Sequence, residues 1–303
     1  MPDTRIGFIG LGAMGAGMAA NLVKAGFDVI GFDIRDDAIA RLVQQGGRGA
    51  ASPADAAADV DILFVMVATA DQAEAVLFGE NGATGRLPAG AIVILTATVP
   101  PDYARKLSRR LADRGFRMLD APVSGGTVGA DSGNLTIMAA GAPALFDETE
   151  AVLGAIAGKV YRLGDEAGIG STVKMVNQLL AGVHIAAAAE AMALGTRAGA
   201  DPRALYDVIC NSAGNSWMFT NRVPHMLDGD FTPLSAVEIF VKDLGIVLDT
   251  GRELRFPLPI AGASHQMFLA AAAAGHGRED DSAVVKVYQQ LAGISVNTAK
   301  KED

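Results

Sequence analysis

Through the first 165 residues, short apolar runs alternate with stretches of helical periodicity, and this alternation limits the chain to few folds. Arg5–Ile9 and residues 28–33, 61–68, 91–95, 117–119, 135–140 and 160–163 read as strands: each is short, rich in Val, Ile, Leu or Phe, and bounded by turn or helical residues. Between the first two, residues 13–25 place Met14, Met18, Leu22 and Ala25 on one helical face, and Gly26 ends the pattern. Residues 36–45, 72–78 and 101–114 also read as helices, the last with its basic residues late, where the helix dipole favours them. Neighbouring parallel strands need a crossover between them, and a helix supplies it. The expected fold is therefore α/β with a mostly parallel sheet. From about residue 168 no strand pattern follows and the remainder reads as helices. The expected seam lies at 164–170, giving domains 1–165 and 166–303, and 303 residues suit two domains.

A helix over residues 171–198 would run roughly 40 Å from the seam. Its apolar residues are not confined to one stripe, so burial on nearly every side is expected, between two domains or between two subunits. Its segment 175–194 is also the nearest approach to a membrane span, but it carries Asn177, Gln178, His184 and Glu190, which suits a soluble core helix better. The N-terminus shows no basic start followed by an apolar leader, so a cytoplasmic location is expected. Cys210 is the only cysteine, which excludes an intrachain disulfide and a cysteine-built metal cluster. A net charge of −9 without a basic block disfavours nucleic acid as a partner. The four histidines have no metal-ligand spacing, and neither a G-x-S-x-G elbow nor a Walker loop is present.

Gly10, Gly12 and Gly15 fall between the first strand and the first helix. In such a loop the first glycine makes the turn, the second lets backbone approach a pyrophosphate, and the third allows close helix–sheet packing. The helix start then offers free N–H groups and a positive dipole end. Gly10, Leu11, Gly12, Ala13, Met14 and Gly15 are the candidate cofactor loop. Asp33 ends the second strand, about twenty residues on, where an acid accepts ribose hydroxyls and repels a 2′-phosphate. NAD is the expected cofactor, although Arg35 stands two residues further on.

Hydride transfer from an alcohol needs a base for the hydroxyl proton and groups that hold the substrate. Lys174 and Asn177 are one helical turn apart in Gly168-Ile-Gly-Ser-Thr-Val-Lys174-Met-Val-Asn177. Burial would lower a lysine's pKa toward neutrality and make it a competent base; a lysine snorkelling at a helix start is the equal alternative. Asp120-Ala-Pro-Val-Ser124-Gly125-Gly126 could form a backbone anion nest for a substrate carboxylate, or be a plain loop. Lys242-Asp243 reads locally as a solvated helix face. Asn211-Ser-Ala-Gly-Asn-Ser-Trp217 could bind hydroxyls, or be a helix-breaking loop anchored by an aromatic.

Taken together, residues 6–15, 120–126, 168–177 and 242–244 resemble the β-hydroxyacid dehydrogenase family, in the right order and across nearly the whole chain. The resemblance implies an α/β Rossmann-type N-terminal domain and an all-α C-terminal domain joined by a long helix. It implies Lys174 as catalytic acid/base with Asn177 beside it, Ser124, Gly125 and Gly126 on the substrate carboxylate, Thr98 near the nicotinamide, and Lys242 on cofactor or substrate. Ala97 and Leu95 depart from the Ser and Asp often found there, and Ala140-Gly141 replaces a usual Gly-Gly. The implied reaction is NAD-linked oxidation of a small hydroxy acid, and the Asn211–Trp217 segment favours a longer polyol acid. A non-catalytic NAD(H)-binding module is the reading from another class, and Lys174 with Asn177 argues against it. The apolar helix and the Ala-rich C-terminal region suggest a homodimer or homotetramer, with no membrane partner.

Overall fold

The computed structural model describes residues 4–298 and divides into two compact units between Met175 and Val176. The first holds a nine-stranded sheet: β1 (Arg5–Ile9), β2 (Asp28–Phe32), β3 (Arg48–Gly49), β4 (Ile62–Val65), β5 (Ile92–Leu95), β6 (Arg117–Asp120), β7 (Val123–Ser124), β8 (Leu135–Ala140) and β9 (Ala157–Gly164). The order is β3-β2-β1-β4-β5-β6-β8-β7, with β9 beside β8. All pairs from β3 to β6 are parallel; β8 runs antiparallel to β6 and β7 and parallel to β9. The two-residue strands β3 and β7 are too short to leave a periodic signal in sequence.

The continuous apolar runs of β4 and β5 are buried at every position, as helices on both faces require. Alternate residues feed two separate cores. Phe8, Phe64, Ile62, Ile94, Met18 and Leu22 pack on one face, where the rings of Phe8 and Phe64 stack at 5.2 Å. Leu63, Val65, Val93, Leu95, Leu107 and Leu111 pack on the other. Each such side chain contributes roughly 1.5–3 kcal/mol by leaving water. The chain leaves β1 first toward β2 and later returns to β4 on β1's other side. That reversal opens a crevice beyond the carboxyl ends of the strands, where the glycine loop sits.

The second unit is built on the long helix Ile169–Arg197, whose later turns pack with helices Trp217–Asp228, Val237–Glu253 and Pro259–Ala271. Its core includes Ile185, Ala189, Met192, Phe219, Phe240 and Phe268. A Cβ at Gly182 would lie 2.9 Å from the Phe240 ring, so glycine permits the close crossing there. Residues 270–274 are all alanine, which favours helix, and the following Gly275 is a natural stop. The run ends in a distorted turn at Ala272–His276, where Gly275 takes φ +94°. Among the described residues this unit contains no strand, only an isolated bridge between Ala236 and Asp280.

Within one chain the long helix is buried on some sides only: Val176, Leu180 and Leu194 are 48, 49 and 69 % exposed. Apolar composition all round a helix shows which sides can be covered, and a single chain covers only some of them.

A buried charge cluster holds the second unit together. Arg222 donates from Nε to Asp281 at 2.6 Å, with Asp280 4.0 Å away, and both carboxyls are fully buried. Asp280 also accepts from Leu234 N, Ser282 N and Ser282 Oγ. Two carboxyls thus share one guanidinium, and burial pushes Asp281 up to about 6 against the pull of Arg222. The native state then keeps a proton that the unfolded chain has released. This contribution is fully present below the ordinary value of 3.8 and is lost as pH rises through about 6. Relative to Asp281→Asn, the wild type should lose on the order of 2 kcal/mol between pH 4 and 7. Urea midpoints across that range test this, and a flat difference between the two proteins would refute it.

Candidate active site

The three loop glycines are required for different reasons. Gly10 takes φ +97°, and a Cβ there would sit 2.1 Å from the Met66 carbonyl oxygen. A Cβ at Gly15 would sit 1.9 Å from the Gly10 carbonyl oxygen. Gly12 faces open space. Protein atoms therefore demand glycine at Gly10 and Gly15, whereas at Gly12 the space is left for something else, as a cradle for a dinucleotide requires. The helix Gly15–Lys24 that follows has no acid in its first turn, and among the described residues no side chain caps it. Its leading N–H groups are thus available to an anion.

Asp33 locks this loop to β2. Its Oδ2 accepts from Leu11 N at 2.7 Å, and its Oδ1 accepts from Arg35 N at 3.0 Å, with Arg35 Nε at 3.5 Å. Leu11 is a core residue whose N–H serves Asp33; Ala13 is exposed, and Met14 is half-buried at the helix start. Thr98 follows β5 at the same carboxyl edge of the sheet, partly buried between the buried Ala97 and Val99.

Beyond Asp120 the chain continues along β8 to Ser124, then turns at Gly125 and Gly126, both exposed and at φ +135° and +62°. Only glycine adopts two such residues in succession without strain. The short helix Gly126–Asp131 is tied to the cofactor-loop helix by Asn21, which donates to Gly17 O and Ala130 O at 2.9 and 2.8 Å. A Cβ at Gly17 would meet Asp131 Oδ1 at 2.4 Å. Gly17 and Asn21 went unnoticed in the sequence because a contact across more than 100 residues leaves no periodicity.

Asp120 is fully buried at the end of β6 and meets the start of the long helix. It accepts from Gly168 N at 2.7 Å, Ser171 N at 2.9 Å and Ser171 Oγ at 2.7 Å. Burial pushes its carboxyl up, while the bonds from Ser171 and Gly168 oppose this. One turn past Ser171 stands Lys174, 7 % exposed, so the snorkelling alternative does not describe it.

In the second unit, Asn177 donates from Nδ2 to Gln178 Oε1 at 3.0 Å, and Gln178 donates from Nε2 to Asp243 Oδ2 at 2.6 Å. Lys242 Nζ lies 2.6 Å from Asp243 Oδ1. The solvated-face reading of Lys242-Asp243 is thereby corrected: Asp243 is 2 % exposed and belongs to the buried stripe of its helix with Phe240, Leu244 and Val247. That stripe was the signal available in sequence. The Asn211–Trp217 segment breaks the helix, but Trp217 is 67 % exposed and does not anchor it. Asn211 and Ser212 bond to their own helix at Asp207 O and Val208 O, Asn215 bonds to Cys210 O, and Ser216 caps the next helix at Phe219 N. A separate cavity lined by Asp61, Gly90, Arg117 and Glu148 lies at the amino end of the strands and holds none of the candidate residues.

A dinucleotide cradle at the switch point, an acid on the second strand and a buried lysine on the helix that follows the sheet define an NAD-linked dehydrogenase. Its first unit matches, over residues 5–164, the NAD binding domain of 6-phosphogluconate dehydrogenase. Residues 168–288 match the NAD-binding domain of NADP-dependent 3-hydroxyisobutyrate dehydrogenase. The chain belongs to the β-hydroxyacid dehydrogenase family, the relatives of 3-hydroxyisobutyrate dehydrogenase. It is 60 % identical to L-threonate dehydrogenase of Cupriavidus necator over 283 residues, covering 93 % of this chain and 95 % of that protein. It is 50 % identical to L-threonate dehydrogenase of Escherichia coli, covering 98 % of each. A crystal structure described as 3-hydroxyisobutyrate dehydrogenase from Salmonella typhimurium is 49 % identical with a TM-score of 0.88, over 94 % of this chain and 100 % of that one.

Asp33→Ala removes the anchor of Leu11 N and, with it, the ribose acceptor that the place of Asp33 at the end of β2 predicts. Charge-assisted hydrogen bonds of this kind carry about 1.5–3 kcal/mol, so KM for NAD should rise on the order of 10- to 100-fold, with the NADP-to-NAD preference moving toward NADP. Steady-state kinetics with both cofactors decide this; an unchanged preference would mean that Asp33 does not select the cofactor.

Proposed function

We propose that this enzyme oxidises L-threonate to 2-dehydro-L-erythronate with NAD, using Lys174 as the base. The observation that carries the chemistry is the burial of Lys174 one turn beyond the capped helix start. The substrate is narrowed by the L-threonate dehydrogenases that share half or more of its residues across nearly its full length.

In this reading Ser124 and the N–H groups of Gly125 and Gly126 hold the substrate carboxylate, and Thr98 flanks the nicotinamide. When bound, NAD supplies the hydride acceptor. Lys174 Nζ takes the C2 hydroxyl proton as the C2–H bond is broken, leaving a ketone. Asn177 orients the amine or the substrate, and Gln178 holds the Asn177 amide. Lys242, paired with Asp243, adds positive charge toward the substrate or cofactor. The working domains are 1–165 for the cofactor and 166–303 for the substrate and for assembly. A cytoplasmic location fits a soluble metabolic enzyme of this family. The 3-hydroxyisobutyrate reading is supported by the family match over residues 168–288 and by the Salmonella neighbour's description.

Removing a general base typically costs 10²- to 10⁴-fold, so Lys174→Ala should lower kcat by about that factor while NADH binding stays near wild type. Turnover is followed as NADH absorbance with L-threonate, 3-hydroxyisobutyrate and other hydroxy acids. Full turnover by the variant would remove Lys174 from the chemistry, and a stronger preference for another acid would replace L-threonate.

We also propose a homo-oligomer, a dimer or tetramer. The exposed apolar side chains Val176, Leu180, Leu194, Trp217 and Ile260 support it. Light scattering on the eluting protein should give a multiple of 31.1 kDa. A monomer at micromolar concentration would overturn it.

A further inference from the structure

We infer that Asp120 is a positioning residue for Lys174, a buried carboxylate that fixes the rotation and rise of the helix on which the lysine stands. The inference rests on the reading of Lys174 as the base.

A helix starts with unsatisfied N–H groups, and the residue before its first turn normally supplies a side-chain acceptor. Here that residue is Gly168, which has no side chain. Nothing larger fits: Gly168 takes φ +96°, and a Cβ would lie 2.6 Å from Arg105 Cγ and 2.9 Å from Pro101 O. Two residues on, a Cβ at Gly170 would lie 2.4 Å from Met138 O and 2.6 Å from Asp120 O. The first turn is therefore pressed against the ends of β6 and β8, with no room for a cap of its own.

Asp120 supplies the cap from the sheet. Its Oδ2 receives both Gly168 N and Ser171 N, and its Oδ1 receives Ser171 Oγ. In a capping box two side chains share this work; here one carboxylate serves both ends of the first turn. Asp120 is 0 % exposed and Ser171 2 %, so water does not substitute for any of the three bonds.

Lys174 is three residues from Ser171 and four from Gly170, on the same helix face and about 4.5 Å further along the axis. A slip or rotation of the first turn is carried to Lys174 with little damping. Displacement of a reacting group by about 1 Å can cost 10²-fold in rate. Asp120 touches neither the cradle at Gly12 nor Asp33, so cofactor binding should be indifferent to it.

The test compares Asp120→Ala, Asp120→Asn and Ser171→Ala with wild type, and with Lys174→Ala in parallel. The substrate is the hydroxy acid that wild type oxidises fastest. The readouts are kcat, KM, the pH limb of kcat and the NADH Kd by fluorescence. Asp120→Ala should lower kcat by about 10²-fold and move the pH limb, with the NADH Kd within about twofold. Asparagine can accept both N–H groups at Oδ1 and donate from Nδ2 to Ser171 Oγ, so Asp120→Asn should recover kcat to within about tenfold of wild type. Ser171→Ala, which loses one bond, should fall between them. Wild-type kcat and pH limb in folded Asp120→Ala would overturn the inference, and so would NADH affinity falling in step with kcat. If Asp120→Ala does not fold, Ser171→Ala decides: wild-type kcat there overturns it, and a lowered kcat with intact NADH binding supports it. Retained turnover in Lys174→Ala would instead refute the assignment of the base, a separate result.

Discussion

The structure depends first on the burial of β1, β4 and β5 between two layers of helices. Ile6, Phe8, Ile62, Phe64 and Ile94 face one layer; Leu63, Val65, Val93 and Leu95 face the other. A strand covered on both faces has only its ends free for chemistry. Parallel direction collects the carboxyl ends of β1, β2, β4, β5 and β6 along one edge, and the cradle, Asp33, Thr98 and Asp120 all lie there. The order of the strands then opens the crevice beside β1, where the chain's direction of winding reverses. The site is a consequence of how the sheet is buried and wound, and the glycines make that edge approachable.

The buried polar groups show how the remaining side chains are held. Removing a carboxylate from water is costly unless donors replace the water. Asp120 receives three donors, two of them backbone N–H groups of a helix start. Asp243 receives Gln178 and lies against Lys242. Asp280 receives two backbone N–H groups and a hydroxyl, while Asp281 depends on Arg222 and is pushed up by its burial. The first two join separate elements at residues next to candidate site groups. The third lies within the helical core and stabilises it only.

Much of this was legible in the sequence because it is local or periodic. The strand–helix alternation, the glycine spacing, Asp33 at the end of β2 and the stop at Gly275 are all read within a few residues. The contacts that a local reading misses act over long separations. Asn21 meets Ala130, Asp120 meets Ser171, and Gln178 meets Asp243; no window of sequence contains either pair partner together. Asp243 was misread for a different reason. A charged residue beside a lysine resembles a solvated face until its helical phase is compared with Phe240, Leu244 and Val247.

That helix is long and apolar enough to cross a bilayer by length and composition, but its contacts argue for another role. Its first turn is bound to the sheet through Asp120, and its middle turns contribute Ile185, Ala189 and Met192 to the core of the second unit. A lipid-spanning helix satisfies its backbone internally and presents apolar side chains outward along its length. This one carries Lys174, Asn177 and Gln178 in adjacent turns, with Lys174 and Gln178 buried, and Gln178 is bonded to a buried carboxylate. The apolar side chains it leaves exposed, Ile169, Val173, Val176, Leu180 and Leu194, fall on one stripe, while Lys174, Gln178, Ile185, Ala189 and Met192 are buried. Its apolar character serves packing against protein, with the polar residues Lys174 and Gln178 held on the covered side.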